Sequence, residues 1–264
     1  MVLDFHTHAF PEKIAAKAME SLSFASGGVR PRTDGTAEGL SKHMKENGVD
    51  AYVVLSIATN PRQMQKVNDF AASLKADNVF PFGSVHPDAP DAIEELQRIR
   101  EMGLRGVKLH PEYQQFYVDD EKMKPIYKEI SRLGLAVTFH TGFDPGFIAP
   151  FHATPERMAR AMKWLDTNVI AAHWGGLGME EDVRRYLVGL PIYLDMAHGS
   201  SCVTRMGAAY CVEKHGADKI LFASDTPWHS PYQEMDLLNT LGLSESEKQA
   251  ILWDNGMKVL NECK

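Results

Sequence analysis

The chain has 264 residues, of which 44% are hydrophobic and 24% charged, and its formal net charge is -7 at pH 7. Such a composition is ordinary for a globular protein, and the length suits one large domain or two small ones. The absence of any basic block argues against a nucleic-acid partner, because binding to phosphates requires clustered Lys and Arg. No apolar run approaches the ~18 residues that a membrane span needs, so we expect no membrane partner.

The three cysteines, Cys202, Cys211 and Cys263, are odd in number and lack the CxxC spacing typical of metal sites. We interpret them as thiols in a reducing compartment. A candidate strand begins at Val2, and Asp4 interrupts any signal-peptide core. We therefore expect a cytoplasmic protein.

Eight short apolar or β-branched segments recur along the chain, and each is followed by a segment with helical character. Near-continuous apolar runs such as residues 52–55 are typical of strands that are buried on both faces of a parallel sheet. The predicted strands are Val2–His8, Ala51–Ala58, Val79–His86, Arg105–His110, Ala136–Gly142, Val169–Gly175, Ile192–Gly199 and Ile220–Pro227.

The segments between these strands carry helix signals. Asp91–Met102 has apolar residues at helical spacing and stops before Gly103, as helices tend to do. Thr154 followed by Pro155 predicts an N-cap and the first helical position. The stretch Ala25–Gly39 is predicted to be a loop inserted over one end of the fold.

Alternation of strands and helices at this pitch predicts parallel strands joined by crossover helices. Eight such units favour a closed TIM-type (β/α)8 barrel of class α/β, with residues 1–264 forming a single domain. Neither a GxGxxG motif after the first strand nor a GxxxxGK[ST] motif is present. The dinucleotide-binding and P-loop interpretations therefore lose their main support.

Histidines concentrate where the predicted strands end. In a barrel of this type, catalytic side chains come from the carboxyl ends of the strands. Seven of the eleven histidines lie there, and the eighth strand ends in Asp225 instead; the seven are His6, His8, His86, His110, His140, His173 and His198.

His6-Thr7-His8 is the sharpest element of this pattern. Residues two apart on a strand point to the same face, so both imidazoles can bind one metal ion. An HxH pair alone also occurs in protein cores, but here it is joined by His140 and Asp225 on the fifth and eighth strands. These four residues are the predicted metal ligands.

Asp225 and other residues near the strand ends have predicted roles in catalysis or substrate binding. Asp225 can both bind the metal and accept a proton from water that the metal activates. His173 is either a ligand of a second metal or a free imidazole that polarises the substrate. Lys108 shares a strand face with His110, and it can contact a substrate carboxylate, pair with an acid, or become a carbamate that bridges two metals. Trp228 and His110 are predicted to contact the substrate.

The chain resembles the amidohydrolase superfamily, and within it the amidohydrolase family 2 branch that includes aminocarboxymuconate-semialdehyde decarboxylase. The resemblance spans the chain in order and is carried by residues 4–8 (DFHTH), 138–142 (TFHTG), 172–176 (AHWGG) and 223–227 (ASDTP). It implies that His6, His8, His140 and Asp225 bind zinc or a similar divalent ion, and that His173 acts beside it. We expect one metal per chain, and two bridged by a carboxylated Lys108 as the alternative.

The leading functional prediction is hydrolysis of an amide, lactone or similar bond in a small molecule, with metal-activated water as the nucleophile. Asp225 would take the proton, and His173 would stabilise developing charge. The alternative at the same site is non-oxidative decarboxylation of a small carboxylated substrate. A non-catalytic metal-binding barrel is the alternative from another class. Barrels of this kind often pair, so a homodimer is an open expectation.

Overall fold

A computed structural model describes residues 1–263 of the chain. Eight parallel strands alternate with helices, as the sequence predicts for a (β/α)8 barrel. The strands are β1 (Leu3–Thr7), β2 (Ala51–Leu55), β3 (Val79–Phe82), β4 (Gly106–Leu109), β5 (Ala136–Phe139), β6 (Val169–Ala171), β7 (Tyr193–Asp195) and β8 (Ile220–Leu221).

The helices lie outside the strands or cover the ends of the barrel. Short 3-10 turns and one π-helical segment, Ala250–Asp254, join some of them. In order they are α1 (Glu12–Ala25), α2 (Ala37–Glu46), α3 (Met64–Ser73), α4 (Ala92–Glu101), α5 (Pro111–Gln114), α6 (Lys124–Arg132), α7 (Pro155–Ala161), α8 (Glu180–Tyr186), α9 (Gly199–Cys202), α10 (Arg205–His215), α11 (Pro231–Thr240), α12 (Glu245–Gln249) and α13 (Asn255–Glu262).

Two seams join the strands into a ring. The regular ladders form two arcs, β1-β2-β3 and β4-β5-β6-β7-β8. At the first seam, Gly83 N–H donates to Gly106 O at 2.9 Å and Lys108 N–H donates to Gly83 O at 2.8 Å. At the second, Phe5 N–H donates to Phe222 O at 2.8 Å and His8 N–H donates to Thr226 O at 2.7 Å.

Most strands end earlier than the sequence predicts. The eighth, predicted to reach Pro227, stops at Leu221. For β6, β7 and β8, backbone geometry prevents the predicted extension, since His173, His198 and Asp225 adopt positive φ values of 60°, 62° and 68° that lie outside the β region. Most predicted site residues therefore lie in turns just beyond their strands.

The core has three parts, of which a small one packs α2 against β2. Strand residues such as Leu3, Phe5 and Phe82 form a buried cluster that α13 covers with Val259 and Leu260. A larger cluster packs the strands against the surrounding helices. All three parts are apolar, so burial of these side chains supplies the main driving force for the fold.

Several smaller predictions can be compared with the structure. The side chain of Thr154 accepts a hydrogen bond from Arg157 N–H and caps α7 as predicted. The predicted insertion is a loop only as far as Thr36, because α2 begins at Ala37. Cys202, Cys211 and Cys263 are free thiols. Within residues 1–263, no helix has both the length and the apolar character needed to cross a membrane.

Candidate metal centre

The carboxyl ends of the strands open into a cavity of about 1020 Å³. It brings together residues that are up to about 220 positions apart in sequence, as the closed barrel requires. Every site residue predicted from the sequence lines it: His6, His8, Lys108, His110, His140, His173, Asp225 and Trp228. His198 lines it too, whereas His86 is not among the lining residues and accepts a hydrogen bond from Asp88 N–H at 3.2 Å.

Three of these side chains form a triangle of potential ligand atoms. Nε2 of His6 lies 3.2 Å from Nε2 of His8 and 3.4 Å from Oδ1 of Asp225. Nε2 of His8 lies 3.2 Å from the same Asp225 oxygen. Two atoms bound to one tetrahedral zinc ion at 2.0–2.1 Å lie about 3.3–3.4 Å apart. The triangle therefore has the dimensions of a metal site, and these residues fit a divalent ion.

The outer nitrogens of both imidazoles are already in use. Nδ1 of His6 lies 2.8 Å from Oδ2 of Asp195, and Nδ1 of His8 lies 2.9 Å from the carbonyl oxygen of Leu55. Both partners are acceptors, so each Nδ1 carries the hydrogen and each Nε2 keeps a free lone pair. Such outer partners are the usual means of orienting metal-binding histidines.

The protonation states also suit metal binding. Burial, together with the positive charge of Lys108, lowers the pKa of His6 well below its usual value, so the imidazole is neutral. Burial alone would raise the pKa of Asp225, but the adjacent side chains of His8 and His6 outweigh burial and hold that pKa well below its usual range. A metal ligand must be in these deprotonated forms.

Two buried aspartates that the sequence analysis did not single out, Asp4 and Asp195, form hydrogen bonds with His6. Asp195 accepts the N–H of His173 at 2.9 Å in addition to its contact with His6. Asp4 accepts the N–H groups of His6 at 3.1 Å and Ser224 at 3.0 Å, where the register of β1 on β2 is interrupted. Burial raises the pKa of Asp4 to about 7. A carboxyl residue inside an otherwise apolar strand is the signal that could have revealed both.

His140 does not belong to the triangle. Its Nδ1 lies 3.0 Å from Nε2 of His173, and its ring stacks on His110 with centroids 4.2 Å apart. Together with His110 it approaches Asp144, whose Oδ2 is 3.4 Å from His110 Nε2 and 3.9 Å from His140 Nε2. This second group of buried potential ligands, His110, His140 and Asp144, includes an aspartate that the sequence analysis did not single out.

His173 lies between the two groups. Its ring centroid is 5.2 Å from that of His6 and 4.7 Å from that of His140. Nδ1 lies 3.2 Å from the carbonyl oxygen of Ala197, and burial lowers the pKa of His173 to about 4. The side chain is thus a neutral imidazole at the edge of the triangle.

Two further groups lie beside the triangle, one near His6 and the other near Asp225. The Lys108 ammonium is buried, with Nζ 3.4 Å from Nε2 of His6, and burial lowers its pKa to about 8. Nδ1 of His198 lies 3.7 Å from Oδ2 of Asp225 and has no hydrogen-bond partner among the described residues. His198 is held in a left-handed backbone conformation, which is costly and tends to occur at functional sites.

The comparisons with known proteins agree with this fold. The family model described as Amidohydrolase (Amidohydro_2) matches residues 3–261, so the chain belongs to this amidohydrolase family. It is accordingly an enzyme of the metal-dependent hydrolase and lyase type that acts on a small molecule. No curated protein matches the chain.

Solved structures similar to the chain have nearly the same length. A TIM-barrel protein of Bordetella bronchiseptica is 19% identical, with a TM-score of 0.77 and 99% of each chain covered. The 5-carboxyvanillate decarboxylase of Sphingomonas paucimobilis is 16% identical, with a TM-score of 0.73 and 98% of each covered. A dihydroxybenzoic acid decarboxylase of Polaromonas, with bound manganese and the inhibitor 2-nitroresorcinol, is 17% identical, with a TM-score of 0.73; 100% of this chain and 97% of that one are covered.

Proposed function

We propose that the chain is a metal-dependent decarboxylase that removes carbon dioxide from a small aromatic carboxylic acid. The observation that carries this proposal is the position of the ligand triangle in a cavity whose other walls are largely apolar. Residues such as Phe10, Ile57 and Phe70 line the same space as His6 and Asp225. Two of the similar structures described above are decarboxylases of hydroxylated aromatic acids, which favours this alternative over the hydrolysis that the sequence analysis placed first.

An apolar cavity favours the loss of carbon dioxide for an electrostatic reason. The carboxylate of the substrate concentrates negative charge, which is costly to hold away from water. After carbon dioxide leaves, the remaining charge is spread over the ring and its hydroxyl oxygens, so the same surroundings disfavour it less. Lys108 is a buried cation beside the triangle and can attract the substrate anion.

His6, His8 and Asp225 would hold the ion, and His140 remains the predicted fourth ligand. Two imidazoles and a carboxylate are a donor set typical of zinc, which is our proposed ion. A divalent ion bound there would polarise the oxygen atoms of the substrate. Metal analysis of the protein after purification without added metals tests the identity, and manganese in place of zinc would correct it.

The protein's own groups can move the proton that the reaction needs. Ionised Asp225 can accept the proton of a substrate hydroxyl and deliver it to the ring carbon that bears the carboxylate. The bond to the carboxyl carbon then breaks, its electron pair stays on the ring, and the product leaves as a phenolate with carbon dioxide. The neutral His173 at the edge of the triangle would position the substrate.

The test is carbon dioxide release from 2,6-dihydroxybenzoate and 5-carboxyvanillate by zinc-loaded and manganese-loaded protein. We expect release with at least one acid, inhibition by 2-nitroresorcinol, and no release by the Asp225→Asn variant. The same preparations are assayed for opening of small lactones and hydrolysis of amides. Turnover of a lactone or amide without release from any acid would make the hydrolase prediction the correct one.

A further inference from the structure

Helix α1 presents an apolar stripe to the cavity and not to the core. Ile14, Ala18 and Leu22 are spaced four residues apart, so they lie on one face of the helix, and all three line the cavity. The helix attaches to the rest of the protein through a different face, with Ala15 and Met19 buried. Ile14 is 51% exposed, and Ala18 and Leu22 are partly exposed, so the stripe keeps apolar surface that the described chain does not fully cover.

A second apolar wall lines the cavity with this stripe. Ile57 lies just beyond β2, and Val67 and Phe70 lie on α3; all three line the same cavity as α1. We call the space lined by these residues of α1 and α3 the apolar channel. It is continuous with the triangle, because His6 and His8 line that same cavity.

The cavity is larger than a single-ring acid requires. Pockets that bury whole drug-sized ligands usually measure about 300–1,000 Å³. The cavity here, about 1020 Å³, stands at the top of that range. A ligand confined to the surroundings of His6, His8 and Asp225 would leave the channel to water.

We propose that the substrate carries an extended apolar substituent, such as an alkyl chain or a second ring, that occupies the apolar channel while its carboxylate lies at the triangle. This inference rests on the proposed function and specifies its substrate class. Covering the stripe with apolar atoms removes its surface from water, and binding energy increases with the area covered.

The channel fits this occupant better than a second copy of the chain. Two lysines, Lys13 and Lys66, also line the cavity from α1 and α3, and neither makes an ion pair within residues 1–263. An apolar face of another protein would have to bury both ammonium groups without partners, which is costly. A narrow substituent leaves both exposed ammonium groups in water.

Binding of unreactive probes tests the channel without any need for turnover. Butanoate, octanoate and dodecanoate are titrated calorimetrically into the zinc-loaded protein. We expect affinity to rise with length, by at most about fourfold per added CH₂ group. Leu22→Asp and Val67→Asp should each weaken the binding of dodecanoate at least about tenfold, because a carboxylate then faces the alkyl chain of the ligand. Neither variant should change the affinity for butanoate. Phe24→Asp is the matched control, because Phe24 is 88% exposed on the same helix and is not among the lining residues.

Equal affinity for all three acids would overturn the proposal. So would a change from dimer to monomer caused by Leu22→Asp without any dependence on chain length, because the stripe would then be a subunit interface. The decarboxylase proposal fails separately. Binding that depends on chain length, without release of carbon dioxide from any acid, would support the channel and reject the decarboxylase proposal. Release of carbon dioxide without any dependence of binding on chain length would support the decarboxylase proposal and reject the channel.

Discussion

Asp225 and His173 both face the cavity, but only Asp225 contributes an atom to the ligand triangle. Asp225→Asn keeps the size of the side chain and one oxygen, but removes the carboxylate that we propose moves the proton. We expect it to abolish turnover while part of the metal stays bound. His173→Asn should keep the metal and slow the reaction by about 10²–10⁴-fold, the usual scale for a positioned polar group.

Metal content and single-turnover rate are measured on both variants. If His173→Asn loses metal in proportion to its activity, His173 is a ligand and a site with two metals becomes the better interpretation. If it retains both the metal and the full rate, His173 only packs against its neighbours and has no part in the reaction.

Variants of Asp195 and Asp144 would distinguish which of the two groups of potential ligands holds an ion. Asp195 contacts Nδ1 of His6, whereas Asp144 approaches His110 and His140. Asp195→Asn should weaken metal affinity about 10–100-fold, because it disturbs the orientation and basicity of His6. Asp144→Asn is the matched control and should leave the affinity unchanged. The reverse result, measured by competition with a chelator, would place the ion at the second group.

The candidate site was predictable in its histidines and less so in its aspartates. His6 and His8 could be found because their spacing on a strand fixes their common direction. The partnership of His6 with Asp195 joins residues 189 positions apart, and no local pattern reports such a contact. The direction of the His140 side chain depends on its rotamer and on the position of Asp144. In the sequence, Asp144 precedes Pro145 and resembles an ordinary turn residue.

The order and type of the strands and helices could be predicted from the sequence, whereas the residues at which the strands end could not. Apolar runs and helix caps such as Thr154 mark the elements locally. The positive φ values of His173, His198 and Asp225 arise from the long-range contacts that hold them, and non-glycine residues seldom adopt them. The sequence therefore predicted strands that continue through these turns.

His215 at the end of α10 provides a pH-dependent link between elements. Its Nε2–H donates to Ile192 O at 2.7 Å, and its Nδ1 accepts the N–H of Gly189 at 3.1 Å. Burial lowers the pKa of His215 below its usual value near 6.5. The unfolded chain therefore binds the proton more readily, and the stability present above about pH 6.5 is lost as the pH falls towards the folded-state pKa.

The His215→Gln variant removes this titration while keeping a donor. We expect the free energy of unfolding to fall by about 1–2 kcal/mol at pH 7.5. The free energy of unfolding should then fall less between pH 7.5 and pH 5.5 in the variant than in the natural chain. Urea denaturation at the two pH values measures both. Equal losses in the two proteins would show that His215 does not contribute to the acid sensitivity of the fold.

For the whole molecule, the eight strand–helix units predicted a closed ring of strands, but the positions of the two seams were known only from the structure.

Gly106 lies at the seam between β3 and β4, and a methyl group added to it would overlap the buried ring of Phe82. Gly106→Ala should therefore lower the free energy of unfolding by about 1–3 kcal/mol. Adding Phe82→Leu makes room for the methyl group, so the double variant should lose less than the sum of the single variants. If the losses in the free energy of unfolding, measured by denaturation, are additive, then overlap with Phe82 does not cause the effect of Gly106→Ala.

The other seam joins the first strand of the chain to the last, and the ligand triangle bridges it. Asp225 N–H donates to His6 O at 2.9 Å, while the two side chains contribute ligand atoms to the same group. An ion bound there would hold together the first and the last strand of the barrel. Its removal should speed hydrogen exchange at the amides of Phe5 and His8 while sparing Ala172, which bonds to Phe139 O inside the larger arc. Metal depletion would then open the barrel from its termini, so that proteolysis of the apoprotein should begin at β1.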